Sequence, residues 1–93
     1  MTKIGFRLYL ITDRKLFPDN AALLSAVEEA LKGGVGAVQL REKDLPIRDL
    51  LHLAYRMREL TVGYGAKLFV NDRLDVALSV GADGVHLGQE DTG

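Results

Sequence analysis

The chain has 93 residues and a formal net charge of −1 at pH 7, with 47% hydrophobic and 27% charged residues, proportions ordinary for a globular domain. That length suits one small domain spanning 1–93, and a charge so close to zero gives no electrostatic reason to expect nucleic acid or an anionic membrane as partner. Cysteine is absent, which excludes disulfide staples, zinc–thiolate sites and cysteine nucleophiles. The apolar stretch in the first ten residues is too short and too interrupted for a signal peptide or a membrane span, so a cytoplasmic protein is expected.

In chain order, Arg7-Leu8-Tyr9-Leu10-Ile11-Thr12 is an apolar run of strand length, closed by Asp13-Arg14-Lys15. Pro18 marks a loop, and Asp19 or Asn20 is available to cap a helix in which Leu23, Leu24, Val27, Ala30 and Leu31 recur at helical spacing. Gly33-Gly34 ends it. Ala37 to Lys43 alternates strictly, with Val38 and Leu40 directed at covering helices and Ala37, Gln39, Arg41 and Lys43 the other way. Pro46 opens a second helix with an expected buried stripe of Ile47, Leu50, Leu51, Ala54, Met57 and Thr61, ended by Gly63-Tyr64-Gly65. Leu68-Phe69-Val70-Asn71-Asp72 reads as a third strand, and Arg73 to Val80 as a short helix with Leu74, Ala77 and Leu78 inward. Gly84-Val85-His86-Leu87 is a fourth strand, followed by Gly88-Gln89-Glu90-Asp91.

The order β-α-β-α-β-α-β implies right-handed crossovers and a parallel sheet. In such folds ligands gather at the C-terminal strand ends, where every polar cluster of this chain falls. Four strands do not close a barrel, since a (βα)8 domain takes about 200–250 residues. The sequence therefore reads as a small open sheet or as the front half of something larger, and the absence of a helix after Asp91 favours the second. An unfinished sheet leaves strands one and four as unpaired edges, so self-association is expected.

Two aspartates at strand ends, Asp72 and Asp91, suit magnesium, which takes oxygen ligands from one or two carboxylates and from substrate phosphates. Both positions equally suit helix capping. Gln39, Arg41 and Lys43 would give a diphosphate a guanidinium fork, an ammonium and an amide, unless they pair locally with Glu42, Asp44 or Asp13. Asn71 has its amide on the opposite face from Asp72 and either binds a ligand or stabilises the turn. His86 reads as a core histidine, and His52 carries no role. The two commonest nucleotide fingerprints, Gly-x-Gly-x-x-Gly and the P-loop, are absent.

Four segments together resemble the thiamine phosphate synthase (thiamine-phosphate pyrophosphorylase) family: Tyr9-Leu10-Ile11-Thr12-Asp13, Val38 to Lys43, Val70 to Ala77, and Gly81 to Asp91. The resemblance runs across the whole chain. It implies the N-terminal half of a TIM (βα)8 barrel, strands one to four. It also implies a magnesium-dependent transferase that joins hydroxymethylpyrimidine diphosphate to a thiazole phosphate and releases pyrophosphate. By the same resemblance Gln39, Leu40, Arg41, Glu42, Lys43 and Asn71 bind the pyrimidine diphosphate. Arg41 and Lys43 also serve catalysis, and Asp72 and Asp91 hold the metal. The family's barrel is more than twice as long and its thiazole-phosphate groups lie further on, so this chain alone is expected to be inactive. The competing readings are a thiazole tautomerase of the same superfamily, which should lack the paired aspartates and the Gln-x-Arg-Glu-Lys set, and a folded but non-catalytic binding or assembly module.

Overall fold

Each of the four expected strands forms, and helices join them in the expected order. The computed structural model describes residues 2–4 and 7–87, with side chains from Tyr9 onward. The elements are β1 (Thr2–Ile4), β2 (Arg7–Ile11), a 3-10 turn at Arg14–Leu16, α1 (Asn20–Lys32), β3 (Val35–Leu40), α2 (Ile47–Gly63), β4 (Lys67–Asn71), α3 (Leu74–Val80) and β5 (Gly84–His86). They build one sheet in the order β1-β2-β3-β4-β5. Strands β2 to β5 run parallel, while β1 pairs antiparallel with β2. Among the described residues no helix is long and apolar enough to cross a membrane.

The short β1 corrects one expectation. The first long strand is not a free edge, because Thr2–Ile4 lies against it in register Thr2 to Tyr9. Three residues are too few for a period-2 pattern, and pairing through backbone groups leaves no signature in side-chain type. Among the described residues the parallel series ends instead at β5.

The helices share one face of the sheet. Alternate residues Val38 and Leu40 on β3 and Leu68 and Val70 on β4 are buried there against Leu23 and Val27 of α1 and Leu50, Leu53 and Met57 of α2. Alternation puts Tyr9, Ile11, Gln39, Phe69, Asn71 and His86 on the opposite, helix-free face. The ladder aligns Ile11, Gln39, Phe69 and Gly84 in one row across four strands. Gly84 leaves room in that row for the Phe69 ring, which a Cβ there would meet at 2.9 Å and force to shift.

Local signals account for the helix ends. Asp19 caps α1 by accepting a hydrogen bond from the Ala22 N–H at 2.8 Å. The left-handed residue after α1 is Gly34, at φ 110°, and Gly81 (φ 68°) plays that part after α3. The stripe expected for α3 is corrected. Val76, Ala77 and Val80 are buried, whereas Leu74 and Leu78 are 56% and 73% exposed. In a two-turn segment so rich in apolar residues, periodicity does not choose between faces, and packing against α2 and β4 does. On α2, Leu53 joins the buried stripe and Ile47 leaves it.

A charged tie holds the far side together. Arg58 of α2 donates to Asp83 Oδ2 at 2.8 Å and to the Gly81 carbonyl at 3.3 Å. Asp83 in turn accepts from the Leu68 N–H at 2.8 Å, fixing the turn before β5 to the start of β4. The Cα radius of gyration is 12.4 Å, close to the roughly 12 Å of a compactly packed chain this long.

Candidate functional site

At the C-terminal ends of β2 and β3 the backbone ladder gives way to a side-chain network. The Thr12 N–H donates to the Gln39 carbonyl at 3.0 Å, the last such bond between the two strands. Beyond it the Thr12 hydroxyl donates to Glu42 Oε2 at 2.8 Å and accepts from the Arg41 N–H at 3.1 Å. Glu42 also accepts from the Arg14 N–H, at 3.0 Å to Oε2. Leu40 and Glu42 are buried while Arg41 and Lys43 are exposed, so the alternation expected for this stretch survives past the end of β3. Arg41, Lys43, Lys15 and Ile11 open onto one cleft of about 360 Å³, with Thr12 and Glu42 also in its wall.

Of the acids considered as local partners, Glu42 and Asp44 are engaged by Arg14 and Lys15. Asp44 is engaged by Arg14 at 3.4 Å and by Lys15 at 3.6 Å, and Arg14 Nε stands 3.9 Å from Glu42 Oε1. Desolvation pushes the Asp44 carboxyl up, but the Arg14 charge, a backbone N–H and Lys15 outweigh it and hold it below the usual carboxylate range. The acids of this loop are thus neutralised from the β2 side.

The neighbouring strand end carries Asn71 and Asp72. Asn71 is buried and its Nδ2 donates to Asp72 Oδ2 at 3.2 Å, so the two side chains meet and do not part to opposite faces. Asp72 is exposed and left-handed, at φ 60°. Few non-glycine residues visit that region, Asp and Asn among those enriched there, and such conformations concentrate at functional sites. The Asp72 N–H donates to the His86 carbonyl at 2.8 Å, which binds this turn to the end of β5. The N-cap of α3 is Arg73.

The remaining candidates divide. Gln39 is buried on the helix-free face and donates through Nε2 to the Tyr9 hydroxyl. The Leu40 side chain is buried in the core under the helices, so only its backbone is at the strand end. His86 is exposed, not buried in a core. Asp91 lies outside the described residues. Among the described residues no three or more His, Cys, Asp or Glu side chains group to hold a metal. The Asp72 carboxylate at a strand-end turn still fits magnesium, which takes few protein ligands and completes its shell with water and substrate oxygens. Tyr9, Thr12 and Lys15 are the site residues that sequence reasoning left without a role. Thr12 carried a usable signal, being the polar residue that closes an apolar strand at its ligand-facing end.

Comparison with known proteins bears on this arrangement. Residues 8–93 match the family model described as thiamine monophosphate synthase. The chain belongs to the thiamine monophosphate synthase family. It is 61% identical over 90 residues to a putative thiamine-phosphate synthase of Geobacter sulfurreducens, covering 97% of this chain and 42% of that protein. It is 49% identical over 88 residues to the thiamine-phosphate synthase of Clostridium novyi, covering 95% and 43%. Among solved structures, thiamine phosphate pyrophosphorylase from Pyrococcus furiosus superimposes with a TM-score of 0.81 at 49% identity, over 90% of this chain and 40% of that one. The order of parallel strands and helices is accordingly that of the N-terminal half of a (βα)8-barrel thiamine phosphate synthase, and β1 lies at the sheet edge. The chain spans about two-fifths of the length of these relatives.

Proposed function

We propose that this chain carries the pyrimidine-diphosphate part of a thiamine phosphate synthase site, and that the protein it represents couples hydroxymethylpyrimidine diphosphate to a thiazole phosphate. The observation that carries this reading is the pair Arg41 and Lys43, exposed on one cleft at a strand end whose neighbour ends in the left-handed Asp72. Arg41 and Lys43 grip the diphosphate, one as a planar fork and the other as a point charge. Gln39, held by Tyr9, and Asn71, held beside Asp72, offer amides to the pyrimidine diphosphate, with the backbone of Leu40 alongside.

The reaction breaks the bond between the pyrimidine methylene carbon and the diphosphate oxygen. The electron pair leaves with pyrophosphate, and the thiazole nitrogen then attacks the resulting pyrimidine cation. Arg41 and Lys43 oppose the charge that develops on the departing oxygens, an electrostatic contribution that often dominates catalysis. Magnesium, held by Asp72 and Asp91, would supply further neutralisation of the same charge. No protein nucleophile is needed. The proposed setting is the cytoplasm, where both substrates are small water-soluble phosphates. Because the chain spans only about two-fifths of its relatives, coupling by these 93 residues alone is not expected.

Isothermal titration with hydroxymethylpyrimidine diphosphate, with and without magnesium, tests the reading. Saturable binding that strengthens with magnesium supports it. Absence of binding at millimolar ligand would overturn it, and full thiamine phosphate formation by the chain alone would overturn the half-site description.

A further inference from the structure

We propose that Thr12 and Glu42 are positioning residues: a buried latch across the ends of β2 and β3 that sets Arg41 and Lys43 to receive a diphosphate, with Glu42 making no contact with the ligand. The proposal rests on the reading of the cleft given above and assigns to Glu42 a different part from its neighbours.

Burial is the first argument. The Glu42 side chain is only 3% exposed although it stands between two exposed cations in sequence. An unpaired carboxylate in that position would be costly, and this one is satisfied from within the protein. Its Oε2 accepts from the Thr12 hydroxyl at 2.8 Å and from the Arg14 N–H at 3.0 Å, and its Oε1 is 3.3 Å from the same N–H. A carboxylate facing a diphosphate would repel it. Turned inward onto these donors, it does not.

Connectivity is the second. The Arg41 N–H donates to the Thr12 oxygen at 3.1 Å, and the Thr12 hydroxyl donates onward to Glu42. Donor and acceptor in series polarise one another, so each bond is strengthened by the next. The relay begins one residue past Leu40, where β3 has ended and no ladder bond is left to hold the chain. It also fixes direction, because pulling Glu42 inward sends Arg41 and Lys43 outward on either side of it. A cation pair held this way loses less conformational freedom when it binds.

Amide exchange and a ligand titration on the 93-residue chain separate the latch from the ligand. The Arg41 amide reports the latch directly and requires no ligand. Inorganic pyrophosphate with magnesium is the probe, and circular dichroism confirms folding of each variant. Thr12→Val should abolish protection of the Arg41 amide and weaken pyrophosphate binding roughly tenfold, the lower end of what loss of an outer hydrogen-bonding partner costs a site. Glu42→Gln should act in the same direction, the double variant should be no worse than the more severe single one, and Thr12→Ser should restore wild-type behaviour. Thr12→Ala takes the place of Thr12→Val if the latter unfolds.

Wild-type affinity in a folded Thr12→Val chain that has lost Arg41 protection would overturn the proposal. So would Glu42→Gln abolishing binding while the Arg41 amide stays protected, since Glu42 would then touch the ligand. Failure of the wild-type chain to bind pyrophosphate would overturn the site reading and the proposal with it, with the Arg41 amide showing whether the latch stands as architecture alone.

Discussion

Asp72 adopts a backbone conformation that costs an L-residue about 1–2 kcal/mol, less for Asp or Asn, whose short polar side chains tolerate it. Asn is therefore the replacement that keeps the turn and removes the charge. Asp72→Asn should leave stability within about 0.5 kcal/mol of wild type and remove the magnesium-dependent part of diphosphate binding; urea denaturation and the titration read the two effects separately. A second carboxylate, Asp83, is tied to structure rather than to ligand. Desolvation raises its carboxyl, but the hydrogen bonds from Arg58 and the Leu68 N–H outweigh that and hold it below the ordinary range. With the folded value depressed, its stabilising effect is fully present above the unfolded value of about 4 and fades as pH falls through the folded one. Asp83→Asn should cost about 1–2 kcal/mol at pH 7, the range for a partly exposed hydrogen-bonded charge. The difference from wild type should shrink as pH falls below about 4 through the folded value, as denaturation across that range would show.

At the scale of elements, α3 tests which face packs. Val76 is wholly buried and Leu78 is 73% exposed, the reverse of what hydrophobic size alone suggests. Val76→Ala should destabilise by about 1–3 kcal/mol, and Leu78→Ser should change stability by less than about 0.5 kcal/mol. Thermal or urea unfolding decides the matter. The same helix shows where sequence reading stops. The longer α1 and α2 are legible because polar and apolar residues separate cleanly over three or more turns, and β3 because its alternation is strict. Two turns of mostly apolar residues carry no such contrast, and the three residues of β1 carry no period. At the site, Arg41 and Lys43 were visible from spacing on the strand. The inward turn of Glu42 was not, because it depends on Thr12, 30 residues earlier, arriving beside it.

At the scale of the whole molecule, the helix-free face and the β5 edge are the least covered surfaces among the described residues. Ile11 is 48% exposed on that face and Leu87 is 66% exposed just after β5. We propose that the chain self-associates through these surfaces, as open sheet edges and exposed apolar patches favour. Sedimentation should show a concentration-dependent rise in mass that Ile11→Lys reduces, and a monomer at all concentrations would contradict it. Covering of the site by a second copy would also show as diphosphate affinity that varies with protein concentration.

The proposed recognition is of a magnesium-bound diphosphate on a pyrimidine, by Arg41, Lys43 and Asp72 together. Its most direct test is a side-by-side titration of the chain with hydroxymethylpyrimidine diphosphate and hydroxymethylpyrimidine monophosphate, both in magnesium. A preference for the diphosphate of at least about tenfold is expected, as a second charged phosphoryl group engaging cations and metal should give, together with its loss in Arg41→Ala. Equal affinity for the two ligands, or a preference that survives Arg41→Ala unchanged, would contradict it.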